Sequence, residues 1–216
     1  DALPPYANDP PLAEVTDNAP PAGSVGFYAG TYETPGLDVT FDNLDVWVLS
    51  TGEIPAPDTT AADEAQARIE AVRVDEPTYA ADFRTDDGEW TLSDDPDLPI
   101  TVERSALRMT VNKEQWLAWA DREADYTDFL MAVDAQQLSA DVPTEMGVVF
   151  RVQDEANFYF FAIDNTGRYS LWKKIDDEWQ ALSDWAKTDA IDTSADAENR
   201  LAVLAEGTSI AVSVND

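Results

Sequence analysis

The sequence predicts an all-β protein, a two-layer sandwich of antiparallel strands, and three observations carry that prediction. From about residue 80 onward, short apolar or alternating segments recur at a spacing of roughly 10–14 residues. Turn-forming clusters separate them: Asp154-Glu155-Ala156-Asn157, Asn165-Thr166-Gly167, Asp176-Asp177-Glu178 and Ala205-Glu206-Gly207. Regular short strands with turn signals between them fold as a sandwich or a related closed β-architecture. The chain is also 44% hydrophobic, with seven Trp, seven Tyr and eight Phe, enough for a substantial core.

Taken in order, residues 1–23 hold six of the 13 prolines and read as extended, irregular chain, because Pro fixes φ and donates no ladder hydrogen bond. In 24–30, Val25, Phe27 and Ala29 alternate as one face of a strand. A turn at 31–36 leads to a second strand, 38–49, with Val39, Phe41, Val46 and Val48 and a kink at Asp42-Asn43. Residues 1–50 thus form a leader plus two strands, and 51–79 form a linker. Within it, Ala62, Ala65, Ile69 and Val72 fall at helical spacing and Thr60 with Asp63 resembles a capping box, which favours a short helix. The end of that run, Ile69 to Val74, reads equally well as a strand.

The body, residues 80–216, begins with a short strand and turns at 82–94, then a strand at 106–111. The stretch 114–123 holds Trp116 and Trp119 among polar residues. Strands follow near 128–138, 147–154, 157–165, 167–176, 178–185, 200–207 and 208–215. Phe158, Phe160, Ile163, Leu171, Val203, Ile210 and Val212 are expected in the core. The run 158–163 is apolar on both faces, so that strand is expected to be central and covered on both sides.

With 13 basic and 44 acidic residues, the net charge is −31. A nucleic-acid binder needs a basic face, which this chain cannot supply. The sequence contains no His and no Cys, which excludes a histidine base, a cysteine nucleophile, a disulfide and a Cys/His zinc site. No apolar run approaches the ~20 residues of a membrane helix, so no membrane insertion is expected. The acids are 29 Asp to 15 Glu and only four bases are Lys. That balance suits hydration in salt, contact with divalent cations, or simple solubility.

Gly147, Phe150-Arg151, Asp154, Asn157-Phe158-Tyr159-Phe160, Gly167-Arg168-Tyr169, Trp179, Asp184-Trp185, Asn199-Arg200-Leu201, Gly207 and Val214-Asn215 form a pattern over residues 80–216. This pattern resembles the concanavalin A-like lectin/glucanase superfamily, and more closely the laminin-G-like jelly-roll modules of secreted prokaryotic proteins. The resemblance implies a concanavalin-like jelly roll and an extracellular or cell-surface location. Such modules continue past the position of Val214-Asn215 with two closing strands. Here, segments like those strands stand at the N-terminus, in 23–30 and 39–46.

A sandwich lacking two strands would expose apolar faces and unpaired backbone groups. Three arrangements fill the gap: a permuted chain folding back in cis, one period of a tandem repeat cut out of phase, or donation of strands to a neighbouring copy. The reading favoured is assembly, a structural or adhesive subunit of an extracellular filament or tandem-repeat protein that joins head-to-tail with copies of itself. Strands 24–30 and 38–49 would be donated beside an acceptor at 208–215 that carries Ile210, Val212 and Val214. The alternative is a carbohydrate-binding module with Trp116, Trp119 and Trp172 as stacking platforms for glycans.

No enzymatic role is expected. The superfamily's glucanases carry alternating acids on one strand, and Asp128 to Ala135 lacks them. The resemblance implies a structural Ca2+ where first and last strands meet, with Asp42 and Asp82 as ligands. For Arg151 and Asp154 an ion pair is expected.

Overall fold

The computed structural model describes residues 11–17, 19–49, 61–73, 75–139, 142 and 144–215, with side chains from residue 65 onward in the helix. All of residues 51–60, including Thr60 of the expected capping box, and both Asp1 and Asp216 lie outside the described residues. The elements run β1 (Ala13–Thr16), β2 (Gly23–Thr31), β3 (Leu37–Val48), α1 (Ala61–Val72), β4 (Tyr79–Ala81), β5 (Ile100–Glu103), β6 (Ala106–Val111) and β7 (Leu117–Tyr126). They continue as β8 (Phe129–Gln137), β9 (Thr144–Asp154), β10 (Asn157–Asp164), β11 (Arg168–Ile175), β12 (Glu178–Lys187), β13 (Glu198–Glu206) and β14 (Ser209–Val214).

These strands make two antiparallel sheets, an all-β sandwich. One is ordered β1-β14-β13-β8-β3-β6-β5 with β4 added on β3, the other β12-β11-β10-β9-β2-β7. Between them lies one core that includes Val25, Phe27, Val39, Phe41, Phe129, Phe150, Tyr159, Phe161, Leu201 and Val212.

The two N-terminal strands are interior strands of the chain's own sheets. In β2, Phe27 pairs with Val148 of β9 on one side and Ala120 of β7 on the other. In β3, Phe41 pairs with Ala135 of β8 and Leu107 of β6. Alternation puts Val25, Phe27 and Ala29 inward from one sheet and Val39 and Phe41 inward from the other, all fully buried. Within the single chain described, β2 and β3 thus occupy interior places in the two sheets.

Three expectations change. The strand 208–215 receives neither β2 nor β3: Ile210, Val212 and Val214 pair with β13, and the outer edge of β14 takes up β1. The leader thus holds a strand within its Pro-rich run, where Ala13 faces Val212 and Val15 faces Ile210. The described ends of the chain consequently run side by side on one sheet edge. Val48, expected among the joining residues, is half exposed because β3 emerges into solvent there. The third concerns β10, which is central as expected. Its outer face, Phe158, Phe160 and Ala162, is covered by the side chains of Trp119, Trp172 and Trp185 rather than by another layer.

Beyond β1 the chain crosses from one sheet to the other, held by Asp17. Its carboxylate accepts from Lys173 Nζ at 2.6 Å and from the Tyr159 hydroxyl at 2.5 Å. Burial works against the charge of Asp17, but these hydrogen bonds and the Ala19 amide outweigh it and hold the carboxyl below its usual range.

The expected helix is present as α1. Ala65, Ile69 and Val72 pack on the outer face of the larger sheet, against Trp47, Leu130, Ala132, Ala202, Leu204 and Ala211. Among the described residues no helix is long and apolar enough to cross a membrane. With α1 on one sheet, the other sheet presents its outer face without a helix over it among the described residues.

Candidate functional site

That second outer face is built by period-two alternation. Since Phe27 and Ala29 of β2 point into the core, Gly26, Tyr28 and Gly30 point out. One row across the sheet runs Trp119, Tyr28, Gly147, Ala162, Ser170, and the next runs Asp121, Gly26, Val149, Phe160, Trp172, Ala181. Large rings thus sit beside very small residues. Gly147 is required by close approach: a Cβ there would lie 2.0 Å from the Phe161 carbonyl oxygen.

The rings gather into an open cleft of about 490 Å3 lined by Tyr28, Gln115, Trp116, Leu117, Trp119, Glu155, Phe158, Lys174 and Trp179. Trp119 meets Phe158 edge-on at 5.1 Å, and Trp179 meets Phe158 and Phe160 at 5.6 and 5.7 Å. Tyr28 rests on Phe160 at 4.8 Å. Trp116 and Trp179 remain 46% and 43% exposed, with Lys113 Nζ 4.8 Å from the Trp116 ring centre and Lys174 Nζ 5.7 Å from that of Trp179. The cation in the cleft is already engaged: Lys174 Nζ donates to the Glu155 carbonyl at 2.9 Å and pairs with Asp177 at 2.8 Å.

Two of the three expected tryptophans, Trp116 and Trp119, come together here. Trp172, on β11, packs on the same aromatic layer but does not line the cleft. Sequence reasoning missed Tyr28, Phe158 and Trp179. For Tyr28 the signal was present, since a tyrosine between Gly26 and Gly30 on a strand whose other residues point inward must face out.

At the far side of Tyr28 lies a half-buried carboxyl. Glu145 accepts from Tyr28 at 2.5 Å and from Tyr32 at 3.1 Å. Burial raises its pKa, and the two tyrosine hydrogen bonds offset this only in part; the charge of Asp164 adds to the rise. Asp164 is itself held by Arg168, whose guanidinium lies 5.2 Å from the Trp185 ring centre. These contacts fix the tyrosine that floors the cleft.

No protein-family model, no curated protein and no solved structure matches this chain.

Asp42 and Asp82, the expected calcium ligands, belong to one acidic neighbourhood with Asp134. Burial, then the charges of Asp134 and Asp82, raise the pKa of Asp42; Glu198 is raised by burial and by Asp134 and Asp42. Cations temper this cluster. Arg200 bonds Asp134 and Asp45, and Arg84 pairs with Asp82 at 3.4 Å. Among the described residues no group of three or more Asp or Glu side chains is arranged to hold a metal ion. Arg151 and Asp154 do not pair with each other. Arg151 is fully buried and donates to the carbonyls of Thr127 and Gly207, whereas Asp154 caps its own turn through Ala156 and Asn157.

Proposed function

We propose that the chain is a carbohydrate-binding, lectin-like module displayed outside the cell, which seats saccharide rings on Trp116, Trp119 and Trp179. The observation that carries this reading is the open cleft itself: half-exposed tryptophans on a sheet face with no helix over it among the described residues. Sugar rings have apolar C–H faces and a polar rim. A ligand of that shape needs flat aromatic platforms with polar groups at the margin, which Gln115, Glu155 and Lys174 provide here. The two-sheet fold is compatible with a permuted concanavalin-like jelly roll, but fold alone is a weak warrant for function.

Head-to-tail filament growth is the second reading, with β2 and β3, which pair within one chain here, as the strands passed between copies. Such growth requires those strands to exchange between copies.

A glycan array probed with the full chain tests the reading, followed by fluorescence titration of the best ligand. Trp116→Ala and Trp179→Ala, both at half-exposed positions, are each expected to weaken binding about tenfold, equivalent to about 1.4 kcal/mol, with unchanged thermal unfolding. A blank array, or variants that bind like the parent, would refute it.

A further inference from the structure

We propose that the saccharide taken by this cleft is cationic: an oligosaccharide of amino sugars with free ammonium groups, its rings on the tryptophans and its charges against an acidic wall that continues from them. The proposal rests on the glycan reading of the cleft and names the ligand's chemistry. Beside the aromatic cleft lies a second depression of about 570 Å3, and the two share Trp119 and Glu155, so they form one groove. The strand β7 runs along it. Its inward residues Ala118, Ala120 and Tyr126 join the core, so alternation sets Trp119, Asp121, Glu123 and Asp125 along the outer face. One strand edge thus passes from an aromatic platform to three successive carboxylates, with Glu155 facing them from the β9–β10 turn.

The charge of this wall is unspent. Glu123, Asp125 and Glu155 are exposed, and among the described residues no ion pair forms to any of them. Asp121 is oriented by Ser24 at 2.8 Å and Thr91 at 3.1 Å, both neutral donors. The neighbouring Arg122 turns away to Glu89, Tyr126 and the Tyr79 ring. Lys174, in the aromatic half, is held by Asp177 and the Glu155 carbonyl. Lys113, over the Trp116 ring, is paired with Asp97 at 3.3 Å, so among the described residues a uronate or sulfated glycan laid on the tryptophans would bring its charges against carboxylates and cations already paired. An ammonium-bearing glycan meets complementary charge instead.

Three probes of equal length decide it with the full chain: a glucosamine hexamer held protonated, its fully N-acetylated counterpart, and a galacturonate hexamer. A net charge of −31 attracts any polycation, so two triple variants are compared. Glu123→Gln/Asp125→Asn/Glu155→Gln neutralises the wall. Glu70→Gln/Glu76→Gln/Asp94→Asn makes the same charge change at exposed positions outside the groove. The glucosamine hexamer is expected to bind the parent at least about tenfold more tightly than the N-acetylated one, and galacturonate not at all. The wall variant loses that preference and the control variant keeps it. Equal binding of the two glucosamine forms, or equal losses in both variants, overturns the charge assignment while leaving glycan binding in place. Failure of all three probes overturns it as well, and together with a blank glycan array removes the parent reading too.

Discussion

Phe27→Ala is expected to destabilise the protein by about 3–5 kcal/mol, the cost of emptying a fully packed aromatic site. Phe27 is completely buried, stacks on Phe41 of the facing sheet with ring centres 4.5 Å apart, and is closed from the side by Trp90 at 4.8 Å. It therefore joins three segments at once: β2, β3 and the irregular stretch before β5. Removal of the ring leaves a cavity that two sheets cannot both move to fill. For a chain of 216 residues, the loss corresponds to a fall in Tm of about 10 °C. Val48→Ala is the contrast, since its side chain stands in solvent and the change is expected to stay within about 0.5 kcal/mol. Urea unfolding followed by tryptophan fluorescence measures both. A Phe27→Ala protein as stable as the Val48→Ala protein would mean that β2 is not packed as described.

Arg151→Ala is expected to cost about 3–5 kcal/mol for a different reason. A guanidinium with no solvent exposure is held at φ 48°, in the left-handed region, where the ladder between β9 and β2 shifts register. It donates to the Thr127 carbonyl at 2.9 Å and the Gly207 carbonyl at 3.0 Å, with the Asp128 carboxylate 4.0 Å away. One side chain thus ties the β7–β8 turn to the β13–β14 hairpin. Burial pulls its pKa below the ordinary arginine value, and Tyr159 and Asp128 work to restore it. Truncation leaves both carbonyls without this donor and Asp128 without its nearby positive charge. Arg151→Lys is expected to recover only part of the loss, because a single ammonium cannot reproduce the fork that reaches two carbonyls. Urea midpoints near the parent value for Arg151→Ala would contradict this account.

The period-two pattern made much of the architecture legible. Val25, Phe27 and Ala29, and again Val39 and Phe41, announced strands with one buried face, and the helix face at Ala65, Ile69 and Val72 was readable in the same way. Pairing partners were not legible, because alternation specifies a face and says nothing of which neighbour lies beside it. Strand 208–215 looked open, yet its edge is taken by Ala13–Thr16, a strand hidden by the prolines around it. The site divided along the same line. Trp116 and Trp119 stood out as aromatics in one polar run at the start of β7. Tyr28, Phe158 and Trp179 belong to other strands and joined them only through the register of the sheet.

The central claim, that one copy fills its own sandwich, is tested most directly by cross-linking. The sequence has no cysteine, so a pair introduced as Thr40→Cys and Gln136→Cys has no competitor. These residues face each other across β3 and β8. Oxidation followed by electrophoresis without reductant should give one species at the mass of a single chain, 23.8 kDa. A ladder of covalent multimers would show that β3 is supplied by a neighbouring copy, and the cis sandwich would be wrong.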